Sequence, residues 1–512
     1  MEQRARTAWL AMAMVAVAGA AAVLVLTRQG PGLSPDSVHY VAGARSLLAG
    51  RGFSYPDGGG DYTPITAWPP LYSVALALPA IAGVDPLAGA RVVDAVLLGL
   101  MLLIVGRAVY ARGGRSLAAA LFAMLALLCM LAVLLIYTMV WSESLFVLLT
   151  LCALVALAGH LGQPSWWRLL PAAVAAGAAF MTRYPGIGLV AAGCLALLLW
   201  RKGGFWARLR DSAAFGALAC LPAFLWMTRN VETTGTSSGR RLAVHLIDSP
   251  HLREGLQTVS RWLVPARLAA GLRAAVLCVL LVGAGTYCVL LWRRWRAGDG
   301  GTPARQGGLL SVMLLFVLAY VASLMAAMML VHPSCDLGPR YLFPVLPVLV
   351  VVLTCAVADQ LHGRGGSTLA RAAFGLLCVA IVASNLLQTV PWALRTGASG
   401  TGFLSPEWRQ SPIIARLAAL PPAVPVYSNR GEAVYILTGR STYSLPHNDG
   451  SERSAAELAA LREALLERGA VLAYFTRVDR PYLLSREQLE AALPLRTIFQ
   501  APDGVVYQGA DQ

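Results

Sequence analysis

Two kinds of side chain stand where they could do chemistry: a carboxylate heading an amphipathic segment, Asp36, and arginines in short polar connections, Arg183 and Arg340. A carboxylate beside a hydroxyl can orient it or accept its proton. A guanidinium presents a planar fork of N–H donors that matches phosphate oxygens. Asp36 follows Pro35 in SPDSVHYVAGARSLLAGRGFSY, and from there the spacing is helical, with Val38, Val41, Ala42, Leu47 and Leu48 forming an apolar side. The position fits an N-cap accepting backbone N–H groups, and it fits a general base at a membrane edge. The roles pull apart, because capping depresses the carboxyl pKa and weakens the base. His39, Tyr40 and Arg45 are candidate neighbours, and an ion pair or a plain surface position would explain His39 and Arg45 as well.

Glu143, in YTMVWSESLF, opens an apolar run, where a carboxylate is costly unless it is paired or faces a cavity. Pairing with an arginine is the first expectation, with a cap or a site carboxylate as alternatives. Arg183 and Tyr184, in MTRYPGIG, could meet Glu143, lipid headgroups or a phosphate. Arg340 and Tyr341, in HPSCDLGPRYLFPVLP, sit at the edge of another run. There a phosphate contact is screened less than in water, although a snorkelling arginine needs no ligand. His332 and Asp336 with Asp36 would be the residues of a divalent metal site, but scattered His and Asp are a weak signal and no metal or other cofactor is assigned. Trp68, Pro69, Pro70 and Tyr72 make a rigid extended lead into a short apolar run. They read as interface anchors or as one wall of a lipid-facing groove.

The elements that must position these residues are apolar. Of 512 residues, 57% are hydrophobic and only 13% charged, about half the charged share of a soluble domain. The charges gather between Leu-, Ala- and Val-rich blocks, and Lys202 is the only lysine. A net charge of +15 therefore points to membrane topology and not to nucleic acid. Runs near 9–26, 88–108, 116–136, 143–160, 168–182, 185–200, 211–227, 271–291, 308–331, 341–359 and 370–390 predict about eleven transmembrane helices. The run around Leu71–Ile81 is too short to cross and reads as interfacial or re-entrant. Arginine-rich connections at 107–115, 201–210, 293–305 and 364–371 place the N-terminus in the cytoplasm and the C-terminus outside. Outward loops then fall at about 27–72, 228–270 and 332–340. The nine cysteines show no disulfide or zinc spacing.

The domains expected are a membrane domain over 1–390 and a small extracytoplasmic α/β domain over 391–512. In the tail, Val424–Tyr427, Ala433–Leu437, Ala470–Phe475 and Thr497–Tyr507 read as strands and Ala455–Arg468 as a helix, with turns at Asp449-Gly450 and Asp503-Gly504.

The order PDSVHYVAGARSLLAGRGFS, WPPLY, WSESLF, TRYPG and LGPRYLFPVLP resembles the polyprenyl-phosphate-sugar-dependent glycosyltransferases of the GT-C superfamily. The bacterial protein O-mannosyltransferase-like and aminoarabinose-transferase-like enzymes are the similar branch. The resemblance implies an all-α polytopic membrane domain of GT-C type with an outward soluble domain, in the bacterial inner membrane. It implies that Asp36 is the catalytic base or acceptor-orienting group and that Arg340, with Arg183, holds the lipid phosphate. Partners would be a polyprenyl-phosphate-linked sugar donor, a glycan, lipid or protein acceptor, and membrane lipids. A second acid adjacent to Asp36, found in some members, is absent. A transporter or flippase of lipid-linked saccharide, and a polymerase or ligase using a lipid-diphosphate-linked glycan, would share the spans. The enrichment of Asp, Arg, His and aromatic residues on one side favours a one-sided reaction site.

Overall fold

In a computed structural model of the chain, the described residues are 2–244, 246, 249–263, 271, 275, 278, 308–332, 337–362, 368–478 and 480–510. The chain divides into two compact units. The first comprises Met1–Leu26, Thr66–Ala75 and Ala90–Arg395, and the second Thr27–Ile65, Leu76–Gly89 and Thr396–Gln512. The segment after the first apolar run thus groups with the tail.

The first unit is helical. Six helices among the described residues are long and apolar enough to cross a membrane: Gln3–Leu26, Pro86–Arg112, Glu143–Gly162, Phe205–Thr234, Gly308–Leu330 and Gly375–Ser399. The run at 116–136 is instead a pair, Leu117–Cys129 and Leu131–Thr138, bent by 63°. Neither Gly nor Pro marks the break. Met130 is extended there, and Thr389 Oγ1 donates to the freed Cys129 carbonyl at 2.8 Å, which satisfies an acceptor the helix would have used. Trp166–Phe180, Tyr184–Trp200 and Val345–Asp359 fall on expected spans but are shorter. Fifteen residues rise only about 22 Å, against about 30 Å of hydrocarbon. The described residues therefore supply six or seven crossings by length and composition, short of the eleven expected. The run at 271–291 lies outside the described residues as a segment. Leu71–Ala82 is a short helix that tightens to 3-10, as its length predicts.

Glycine sets one helix contact that the site depends on. A Cβ on Gly188 would lie 2.9 Å from Tyr320 Cα, so only glycine lets Ile187–Trp200 approach Gly308–Leu330 this closely. Two short strands, β3 (Arg241–Leu242) and β4 (Val331–His332), pair antiparallel. They tie the segment after Phe205–Thr234 to the one that leads to Arg340.

In the second unit, β1 (Ser54–Pro56) and β2 (Tyr62–Pro64) form a hairpin. The tail builds a five-stranded sheet in the order β6-β5-β7-β9-β8, from β5 (Val426–Ser428), β6 (Tyr443–Ser444), β7 (Val471–Phe475), β8 (Leu495–Ala501) and β9 (Gly504–Gly509). Strand β5 runs parallel to β6 and β7, and β9 antiparallel to β7 and β8. Alternation in β7 feeds two cores. Leu472 packs with Leu461, Leu465 and Tyr507, while Val471, Ala473 and Phe475 pack with Ile413, Leu417 and Val434. The expected helix is Glu452–Glu467 and the turn at Asp503-Gly504 joins β8 to β9. Ala433–Leu437, expected as a strand, is instead helix Gly431–Thr438, closed by Gly439 in the left-handed region at φ 75°.

Candidate functional site

Glu143 is the first residue of its helix and is fully buried. Burying an isolated carboxylate costs several kcal/mol, so a partner is required. It has two, both on Oε1: Arg183 Nη1 at 2.6 Å and Arg340 Nε at 2.8 Å. Arg183 comes from the turn ahead of the short helix Tyr184–Gly186, and Arg340 from the single turn Pro339–Leu342. Arg183 Nη1 also donates to Ser142 Oγ at 3.3 Å. Aromatic faces fix both guanidiniums: Arg340 lies 4.2 Å from the Trp141 ring centroid and Arg183 5.4 Å from that of Tyr341. The Arg183 side chain is 9% exposed and that of Arg340 27%. The trio thus holds two guanidiniums on one carboxylate, the second of them reachable from outside the protein. Such a clamp suits an anion.

Beside Glu143 lies a polar trio that the sequence alone does not single out. Asp94, 1% exposed within Pro86–Arg112, accepts from Ser144 Oγ at 2.7 Å and from Tyr72 Oη at 3.0 Å. Tyr72 is therefore fully buried and hydrogen-bonded, not an interface anchor, whereas Trp68 is half-buried. The signal available was an acid inside an apolar run. Tyr184 Oη donates to the Thr66 carbonyl at 2.8 Å, and Leu71 N–H to that of Met181 at 3.1 Å. The WPPLY stretch is thereby fastened to the turn that carries Arg183. Tyr320 Oη donates to the Tyr341 carbonyl at 2.9 Å, holding the Arg340 turn. His332 lies in β4, opposite Arg241. Asp336 lies outside the described residues.

The remaining candidates belong to the second unit. The cap of helix Pro35–Leu48 is Ser34, boxed with Ser37, so Pro35 is the first helical residue and Asp36 the second. Asp36 is not the N-cap; Ser34 takes that role, and Pro35 fills the first helical position, where the N–H that proline lacks would have had no intrahelical partner. Asp36 is half-buried in the first turn. His39 bonds the Pro35 carbonyl through Nδ1 at 3.0 Å and stacks on Tyr55 at 4.7 Å, and Tyr40 is buried. Arg45 is not a neighbour of Asp36. Nine residues along a helix are about 13 Å, and Arg45 grips Asp85 through two 2.9 Å bonds. That pair holds the Asp85 carboxyl below its usual range against the opposing effect of burial. Among the described residues no group of three or more His, Cys, Asp or Glu could hold a metal ion.

No protein-family model and no curated protein matches this sequence. Among solved structures the chain is similar to ArnT from Cupriavidus metallidurans bound to undecaprenyl phosphate, with 15% identity, a TM-score of 0.59 and 98% of each chain covered. The apo state of that protein gives 16% and 0.61, over 99% of this chain and 100% of that one. The archaeal oligosaccharyltransferase AglB from Archaeoglobus fulgidus, in complex with an inhibitory peptide and a dolichol-phosphate, gives 12% and 0.51, over 98% of this chain and 74% of that one. At these identities the likeness is one of fold. Over nearly its whole length the chain shares the fold of these two proteins.

Proposed function

We propose that this chain is a membrane glycosyltransferase that moves one sugar, with inversion, from a polyprenyl-phosphate carrier to an acceptor hydroxyl at the outer face of the bacterial inner membrane. The observation that carries the reading is the clamp of Arg183 and Arg340 on one buried carboxylate, with Arg340 partly exposed. The ligands bound in two structural neighbours, undecaprenyl phosphate and dolichol-phosphate, support it.

In the step proposed, the acceptor oxygen attacks the anomeric carbon as its proton passes to the Asp36 carboxylate. The bond from that carbon to the phosphate oxygen breaks, and its electron pair leaves with the polyprenyl phosphate. Arg340, aided by Arg183, stabilises the charge that gathers on the phosphate. Glu143 holds both arginines in place. An electrostatic stabiliser of developing charge is worth about 10²–10³ in rate.

The test is turnover of purified protein with polyprenyl-phosphate sugars. Asp36→Asn and Arg340→Ala should each lose at least about a hundredfold in rate. Wild-type turnover by Asp36→Asn removes Asp36 from the chemistry, and unchanged donor affinity and rate in Arg340→Ala removes the phosphate role.

A further inference from the structure

A cavity of about 290 Å³ lies within the second unit, just below the roughly 300–1,000 Å³ range of ligand pockets. One wall is Leu33, Ser34 and Pro35, the three residues directly ahead of Asp36. Phe403 N–H donates to the Leu33 carbonyl at 3.0 Å and Gly402 bridges Leu33. Gly402 has φ +63° and a Cβ there would run into the Leu33 carbonyl, so glycine is required for this wall to form. Trp408 supplies a broad aromatic face, set by Phe403 at 5.1 Å and Phe475 at 5.3 Å between ring centroids.

The polar lining comprises Arg430 and Arg477 against Glu407 and Asp503, two charges of each sign. Asp503 is 5% exposed. Its Oδ2 accepts from Ser411 Oγ, while its Oδ1 is buried with no hydrogen-bond partner among the described residues. Arg430 Nε is buried and unpartnered in the same way. A buried polar atom left without a partner is destabilising. One lining residue thus lacks a donor and another lacks an acceptor.

We infer that this cavity binds a single neutral sugar residue of the acceptor, which makes the acceptor class a saccharide. The inference rests on the reading of Asp36 as the group that handles the acceptor hydroxyl. A sugar ring has an apolar face for Trp408, and its hydroxyls can both donate to the lining carboxylates and accept from the lining guanidiniums. The balanced lining charge gives a phosphorylated ligand no net attraction, in contrast to the two arginines on Glu143. The volume admits one ring.

The experiment is a saturation-transfer NMR titration of the full chain in lipid nanodiscs, with the methyl glycosides of glucose, galactose, mannose and N-acetylglucosamine as probes. At least one glycoside should bind through its ring protons. Trp408→Leu should weaken it by at least about tenfold, and Arg477→Ala, an exposed position that the fold tolerates, by about fivefold. No glycoside binding, equal binding in wild type and both variants, or methyl phosphate competing away every glycoside overturns the inference. Donor turnover without glycoside binding sinks the pocket alone. Glycoside binding that depends on Trp408, without any donor turnover, upholds the pocket and sinks the transferase reading.

Discussion

Replacing Glu143 by Gln isolates the charge that holds the two arginines together. Arg183 Nη1 and Arg340 Nε bond the same oxygen, so the guanidiniums stand within two hydrogen-bond lengths of each other. Two unit charges about 5 Å apart at an effective dielectric of about 20 repel by roughly 3 kcal/mol. Removing one partner of a buried pair costs about 3–5 kcal/mol, which agrees. The substitution keeps the side-chain shape, so the loss is electrostatic. Thermal unfolding of the detergent-solubilised protein should show a midpoint lowered by on the order of 5 °C. Glu143→Gln combined with Arg183→Gln should recover part of that loss, because the repulsion goes with the second charge. A Glu143→Gln midpoint equal to that of wild type, or a double variant less stable than the two single losses added together, would refute the reasoning.

Three further outcomes follow from the packing. Tyr72→Phe removes a donor to buried Asp94 and should cost about 1–3 kcal/mol, read as a lower unfolding midpoint. Gly188→Val places a branched side chain against the Tyr320 backbone and should cost about 1–3 kcal/mol or more, measured the same way. Burial raises the carboxyl of Glu432, but the ion pair with Arg480 at 2.8 Å outweighs it and, with His39, brings the pKa below its usual value near 4.5. A lowered folded pKa means that the pair's contribution is complete above that value and fades as pH falls through the folded one. Glu432→Gln should therefore flatten the acid-side loss of stability below about pH 4.5, and an unchanged acid profile would contradict this.

How much was legible in one sequence varied with the range of the interaction. Apolar runs located the helices, because length and hydropathy act locally. The break at Met130 was invisible, since what stabilises it is Thr389, far along the chain. The helix Gly431–Thr438 was misread because Val434, Tyr435 and Leu437 also suit a strand, while the signals that decide it are the glycines at 431 and 439. Asp36, for which the N-cap was one reading, lies two positions past the cap, because Ser34 takes that role ahead of Pro35. Glu143, Arg183 and Arg340 were each legible as costly charges at the edges of apolar runs. That they share one oxygen is a tertiary fact that no spacing encodes. Asp94 was overlooked because its partners, Tyr72 and Ser144, come from two other segments.

The proposed transfer depends on Arg340 and Arg183 holding a lipid phosphate. Native mass spectrometry of the purified protein with undecaprenyl phosphate and with undecaprenol measures it most directly. One bound lipid phosphate is expected, with affinity about ten- to a hundredfold lower in Arg340→Ala and little binding of the alcohol. Equal binding of the phosphate and the alcohol, unaffected by Arg340→Ala, would contradict it.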